Sequence, residues 1–446
     1  MEQVSLSRAL ARFVVELSYE DLPPQVAERG KTRILDTLSA CFAGRDLPWS
    51  QIAAKLAENS QGSSTVFGYG TKVAAMDAAL ANAVMSHSVL LEDCFSGAGH
   101  PSVIIVPAAM AVAEEECLSG AELITAIVAA YEVYTRIGLG QGGRWRPRFR
   151  DVPVLGAFGA ATASGKLFKL NEDQMTSALG FAANCGSGMS EGWSYGTMEP
   201  MFHAGVACRN GILVANATRM GAIAAETALE GKYGFYMAFA GGTDDTKVVT
   251  ADLGKRFMIM DVLTKLYPAR GYNQTAIDLC LTIREQNQIE AREIEKIVET
   301  VSRRVKNTAG GDYGGPFTTQ FQAQMSAKFC VAAALLGKPI NLPTLSTQHY
   351  DDPEIFETAK KVELVEDESR GKYNRRIEVF MKNGKRYVID EDRLSKFIPT
   401  REVIEKKFMT LALDFLGKAK AEEVIDTVMN LDKLDNISKL TRSLSR

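Results

Sequence analysis

The chain has 446 residues, 46% of them hydrophobic and 24% charged, with 51 Lys and Arg against 54 Asp and Glu for a formal net charge of -3. At ~100–200 residues per domain this length exceeds one ordinary core. The composition excludes a disordered or collagen-like chain, and the charge balance gives no basic surface for nucleic acid or anionic membrane.

The opening Met1-Glu2-Gln3-Val4-Ser5-Leu6-Ser7-Arg8 lacks the basic start and apolar run of a secretory signal. Pro101 to Glu114 stays uncharged for about a dozen residues, short of the ~20 that cross a bilayer. Cysteines 41, 94, 117, 185, 208, 280 and 330 are scattered without a Cys-x-x-Cys, so no zinc or iron–sulfur pattern arises. A cytoplasmic, reduced protein without a metal or cofactor is expected.

Helices dominate the first two-thirds. After Pro23-Pro24, Ile34, Leu35, Leu38, Cys41 and Phe42 recur at helical spacing, with Gly44 as a C-cap. Ala-rich helices are expected over 74–88, 103–116, 123–137, 154–167 and 204–220, their small residues allowing close packing all round. The texture changes near Leu266. Lys296 to Val305 alternates as a strand, Val362 to Val365 reads as another, and Arg376 to Asp390 reads as a hairpin. The hairpin turn, Asn383-Gly384, calls for positive φ at both residues. Beyond Pro399, Ile404, Phe408, Leu411 and Phe415 mark another helix ending near Gly417. The expected architecture is mostly α: a large helical domain (1–265 with 396–446) and a smaller α+β domain (266–395).

Two familiar motifs fail their context tests. Gly138 to Gly143 fits G-x-G-x-x-G, but Arg144-Trp145-Arg146-Pro147 cannot open the helix that would hold a pyrophosphate. Gly192-Trp193-Ser194-Tyr195-Gly196 fits G-x-S-x-G, but helical texture precedes it where a nucleophile elbow needs a strand. A serine hydrolase through Ser194, with His349 downstream, is therefore a remote alternative.

Only four histidines occur. His100 lies between Gly97-Ala98-Gly99 and Pro101-Ser102, in a loop feeding a helix whose positive end favours a neutral, proton-accepting imidazole. A surface or capping histidine is the bland alternative. His203, among small residues, reads first as a helix-packing side chain, and His87 as core or a neighbour of the site. Arg144, Arg146, Arg148 and Arg150 alternate as either a solvated loop or an anion clamp. Lys265 and Arg270 put two cations at the domain junction, where ligands concentrate.

These segments, in this order, resemble the MmgE/PrpD family, which includes 2-methylcitrate dehydratase, cis-aconitate decarboxylase and iminodisuccinate epimerase. The resemblance rests on Tyr19 to Pro23, Ile34 to Leu38, Asp77 to Ala83, His87 with Glu92-Asp93, and His100-Pro101-Ser102. It continues through Gly156 to Ala161, Gly196-Thr197-Met198, His203-Ala204-Gly205 with Arg209-Asn210-Gly211, and Lys265 with Tyr267-Pro268. It implies a helical and an α+β domain with the site in the cleft between them, homodimers, and metal-free proton chemistry beside carboxylates.

Carried over by position, the family's catalytic histidine and lysine are His100 and Lys265. Other groups have changed. The usual Asp-Phe-Asp-Asp-Thr is Leu90-Leu91-Glu92-Asp93-Cys94, a site histidine is Arg150, a second is Arg270, and a lysine is Pro200. The substrate-facing set is then Arg150, Arg270, Asp93, Cys94, Leu90, Tyr195, His203 and Tyr267, the two tyrosines as auxiliary proton donors. The expectation is a cofactor-independent lyase, of dehydratase or decarboxylase type, on a small carboxylate other than 2-methylcitrate or cis-aconitate. An isomerase, epimerase or cyclase on the same scaffold, or a non-catalytic homologue, is the alternative.

Overall fold

The computed structural model describes residues 4–145, 148–308 and 310–445. The chain begins with three helices, α1 (Leu6–Glu16), α2 (Pro24–Gly44) and α3 (Pro48–Ala57). A two-residue hairpin, β1 (Ser64–Thr65) and β2 (Lys72–Val73), precedes α4 (Ala75–His87), α5 (Ser102–Glu115) and α6 (Gly120–Leu139). Then come α7 (Asp151–Leu167), α8 (Glu172–Ala182), the short α9 (Glu191–Tyr195) and α10 (Glu199–Arg219). The Ala-rich helices form where their composition places them, with ends that shift by a few residues. For α6 the shift has a cause: Ser119 accepts the Glu122 N–H while the Glu122 carboxylate accepts from Ser119, a capping box that starts the helix three residues before Leu123.

Helices α4, α5 and α7 are buried on almost every side, which small side chains permit. Where α7 meets α10, a Cβ on Gly211 would lie 2.3 Å from the Ala160 Cβ and 2.8 Å from the Ala157 carbonyl. Only glycine allows that approach.

The later chain builds a four-stranded sheet in the order β4-β3-β5-β6 from β3 (Ile294–Val301), β4 (Val362–Glu366), β5 (Asn374–Met381) and β6 (Arg386–Asp392). Strands β3 and β4 run parallel, with Ile297 opposite Val362, and the other neighbours are antiparallel. Two expectations need correction. The strand expected to Val305 stops at Val301, because the Ser302 carbonyl accepts from Val305 and Lys306 and turns Arg303–Lys306 into a helical turn. The hairpin turn has positive φ at Gly384 but not at Asn383. Gly384 N–H bonds the Met381 carbonyl and Met381 N–H bonds the Lys385 carbonyl, the three-residue loop with a left-handed glycine rather than the two-residue turn.

Two cores result. One spans Leu10 to Val262 and resumes from Ile404 to Leu444, and the other runs from Leu263 to Phe397 around the sheet. Phe321 and Met325 leave the second body to pack into the first core. The helix Arg401–Leu416 returns against α2, burying Ile404, Phe408 and Ala412. No helix among the described residues is long and apolar enough to cross a membrane.

Replacing Gly211 by Val is expected to destabilise the protein by about 1–3 kcal/mol or more, the cost of overpacking a tight interface. A melting temperature equal to wild type would contradict this packing.

Candidate active site

Residues distant in sequence meet through one backbone exchange. Cys94 N–H bonds the Leu263 carbonyl and Leu263 N–H bonds the Cys94 carbonyl, both at 2.8 Å. This bridge lays the loop after α4 beside the segment that joins the two cores, and so brings Glu92 to Lys265. Lys265 Nζ donates to Glu92 Oε1 at 3.0 Å, and both side chains are buried. The same Oε1 lies 3.2 Å from His87 Nδ1 and 3.5 Å from His100 Nδ1. Burial alone would raise the Glu92 pKa, but Lys265, His100 and His87 together hold it below the usual carboxylate range. Its second oxygen, Oε2, finds no hydrogen-bond donor among the described residues.

The loop that carries His100 is folded on itself. Phe95 N–H bonds the Gly99 carbonyl and Gly99 N–H bonds the Phe95 carbonyl, with Gly99 at φ +77°. A Cβ there would sit 2.8 Å from that of Asp151, so glycine is required for both reasons. His100 Nδ1 lies 2.7 Å from the Asp93 carbonyl, an acceptor, so this nitrogen carries the proton and Nε2 keeps its lone pair. Burial, and then the nearby Lys265 cation, push the His100 pKa well below the ordinary value. The imidazole is neutral, as expected, but desolvation is the main cause and not the helix end.

A narrow cavity of about 30 Å³ opens beside His100, walled also by His87, Arg150, Asp151, Trp193 and His203. The Arg150 guanidinium lies over the Trp193 ring at 4.2 Å. Its backbone is fixed by pairing: Arg150 N–H bonds the Gly188 carbonyl, and Ser190 N–H bonds the Arg148 carbonyl. Asp151 accepts from the buried Trp145 indole at 2.9 Å. Burial, helped by His87 and Arg150, lowers the His203 pKa to about 4, so His203 is also neutral near pH 7.

The other sequence candidates fall elsewhere. Lys265 is not on the cavity wall but beneath the histidines, holding Glu92. Asp93 accepts Ser102 N–H at 3.0 Å, at the start of α5, and the Tyr131 hydroxyl at 2.6 Å; burial pushes its pKa up to about 6. Leu90 is buried with φ at +53°, a left-handed conformation unusual for leucine. Cys94 serves the backbone bridge. Arg270 is buried in the second body, donating to the Val305 carbonyl and lying 4.9 Å from the Tyr272 ring. The Tyr267 hydroxyl donates to Asp278 at 3.0 Å. Tyr195 is 73% exposed at a separate hollow.

Arg144 pairs on the surface with Asp244 and Asp245, while Arg146 and Pro147 lie outside the described residues. Gly138 to Gly143 ends a helix instead of following a strand, and Gly192 to Gly196 lies in the turn of α9. The Ser194 side chain is outside the described residues. His349 is exposed beyond the helix Pro343–Gln348. No group of three His, Cys, Asp or Glu suited to a metal occurs among the described residues. Glu92, Asp151 and Trp193 are site members that sequence reasoning left out, and His87, expected in the core or beside the site, lines the cavity. The Glu92-Asp93 doublet beside a histidine was the available signal for the first; Trp193 was hidden inside the hydrolase-like pentapeptide.

Comparison with known proteins agrees with this architecture. Residues 8–247 match the MmgE/PrpD N-terminal domain and residues 267–433 the MmgE/PrpD C-terminal domain. The cis-aconitate decarboxylase of Aspergillus terreus is 26% identical over 98% of this chain and 95% of its own length. The cis-aconitate decarboxylase of Homo sapiens is 26% identical over 99% of this chain and 94% of its own. A cis-aconitate decarboxylase-like protein of Aspergillus oryzae is 26% identical over 99% and 97%. With both domain models matched in order along nearly the whole length, the chain belongs to the MmgE/PrpD family.

Proposed function

We propose that the protein is a cofactor-independent lyase that moves a proton on a small carboxylate-bearing substrate, in the cavity beside His100, whose walls come from the helical domain (1–265 with 396–446) and not from the α+β domain (266–395). The observation that carries this reading is the orientation and charge of His100: Nδ1–H tied to the Asp93 carbonyl, Nε2 unprotonated, the ring neutral. Such an imidazole accepts a proton and does not begin by giving one.

In this reading Arg150 grips the substrate carboxylate and His100 Nε2 takes the proton from the neighbouring carbon. The electron pair left behind spreads into the carboxylate, where Arg150 stabilises it. The new imidazolium lies near the Glu92 carboxylate, which favours its charge. It then returns the proton to a departing hydroxyl, completing loss of water. A neutral His203 is a poor initial acid, so one histidine serves as base and then acid. Lys265 keeps Glu92 ionised and in place. The decarboxylase names of several relatives keep loss of carbon dioxide within the same proposal; there the carbon–carbon bond breaks, its electron pair stays on carbon, and the proton that replaces the carbon dioxide comes from water, relayed through His100 Nε2.

The same geometry favours one specific rival. If the proton goes back to carbon instead of to a leaving group, the reaction is an isomerisation or epimerisation, and a single base suffices. We also read the assembly as a homodimer; the exposed Val206, Leu213 and Met220 on the outer side of α10 support a self-contact there.

Incubation with a panel of small carboxylic acids in D2O tests the proposal. Loss of water or carbon dioxide supports the lyase; deuterium uptake without mass loss supports the isomerase; neither, across the panel, favours a non-catalytic homologue. On any acid turned over, His100→Ala should lower kcat by roughly 10²–10⁴, and activity retained within a few-fold would contradict the role of His100. Arg150→Ala should raise KM. Because the His100 pKa is depressed, the base form persists as pH falls, so the acid limb of the rate profile should lie below about pH 6.5. A midpoint at or above that value contradicts the depression of the His100 pKa. Cis-aconitate and 2-methylcitrate should be poor substrates, because Pro200 and Leu90 stand where family members carry charges. A kcat/KM near ~10⁴ M⁻¹s⁻¹ or above for either acid would contradict this.

A further inference from the structure

Beneath the site lies a cation that takes no part in the proposed chemistry. Lys407 sits on the helix Arg401–Leu416, part of the chain that returns to the first core after the second body is complete. Its side chain is only 7% exposed. The ammonium group has three donors and all three are used: Asp36 Oδ1 at 2.6 Å, the Leu91 carbonyl at 2.7 Å and the Lys265 carbonyl at 2.9 Å. Leu91 immediately precedes Glu92. One ammonium therefore ties together the two backbone segments whose side chains form the Glu92–Lys265 pair, and Asp36 neutralises it.

The neighbouring residue on the second segment is held in a similar way. Arg33 Nη2 donates to the Thr264 hydroxyl at 2.6 Å, and Thr264 N–H bonds the Phe397 carbonyl at 2.7 Å. Arg33 and Asp36 both come from α2. A lysine buried this deeply carries a desolvation cost, and its bonds fall on backbone atoms beside the two charged residues rather than on a remote part of the core.

We propose that Lys407 is a positioning residue: its ammonium fixes the distance between Glu92 and Lys265, and through that pair the charge state of His100. This rests on the reading of His100 as the proton-transfer group, but its test does not need a substrate. When the clamp is removed, Lys265 drifts from Glu92. The Lys265 cation then weighs less on His100 and the Glu92 carboxylate weighs more. Both changes favour the imidazolium, so the His100 titration midpoint rises. The charged and titratable groups facing His100 are Glu92 in its own loop, His87 from α4, Lys265 from the junction, and Arg150, Asp151 and His203 across the cavity. Those facing Lys407 are Asp36, Arg33 and Glu92.

The experiment is an NMR pH titration of the imidazole carbons of the four histidines in the full chain, with His100 assigned from His100→Gln. In Lys407→Met the His100 midpoint should rise by about one pH unit or more, while the neighbouring Lys406→Met leaves it at the wild-type value. Should Lys407→Met fail to fold, the pair Asp36→Leu/Lys407→Met removes both charges together and should give the same rise. A direct effect of the lost charge is separated by adding Lys407→Met to Lys265→Met. If Lys407 acts through Lys265, the second change moves the midpoint little further. A lowered melting temperature with an unchanged His100 midpoint would overturn the proposal, and so would a full additional shift in the Lys265→Met background.

Discussion

A carboxylate sealed from water must be neutralised where it lies, and Glu92 imposes that condition on everything around it. Desolvating an isolated carboxylate costs several kcal/mol, so Glu92 is stable only with Lys265 against Oε1 and the two histidines within reach. Those neighbours come from α4, from the loop before α5, and from the junction between the two cores. The Cys94–Leu263 bridge and the Lys407 ammonium hold the pieces in register. The charge state of His100 follows from the same arrangement: buried, close to a compensated pair, and tied by Nδ1 to a backbone carbonyl, it stays neutral with Nε2 unprotonated.

Much of the scaffold was legible in the sequence because the signals are local. Alanine-rich periodicity marks the buried helices, alternation marks β3, and Asn383-Gly384 marks the hairpin. The errors lie where a side chain or a carbonyl overrules the pattern. The Ser119–Glu122 box lengthens α6, and the Ser302 carbonyl ends β3 early although Arg303 continues the alternation. The site was legible only in part. His100 and Lys265 stand out by their neighbours in sequence, but the contact between Glu92 and Lys265 spans 173 positions, and no local pattern reports it. Arg270 and Tyr267 lie close to Lys265 in sequence yet point into the second body, where Val305, Tyr272 and Asp278 receive them.

At three positions where the family resemblance implies an exchange of groups, the local structure accommodates the residue present. Pro200 falls in the first turn of α10, where the ring costs no helical hydrogen bond. Arg150 occupies a segment paired to residues 188–190, and its guanidinium stacks on Trp193 just ahead of the start of α7. Leu90 is fully buried in a tight left-handed turn beside the charged pair. The helical frame depends on close helix contacts such as Gly211 against Ala160, which none of these replacements touches.

The ionisation of Glu92 is the most direct test of this account. Carboxyl-labelled glutamate, with the Glu92 resonance assigned by its loss in Glu92→Gln, can be followed by 13C NMR as the pH is lowered. The account predicts a resonance still at its ionised position near pH 4.3, where an ordinary glutamate is about half protonated. A Glu92 signal that titrates above that point would mean that Lys265 and the histidines do not compensate its burial, and would contradict the charge arrangement on which the assignment of His100 rests.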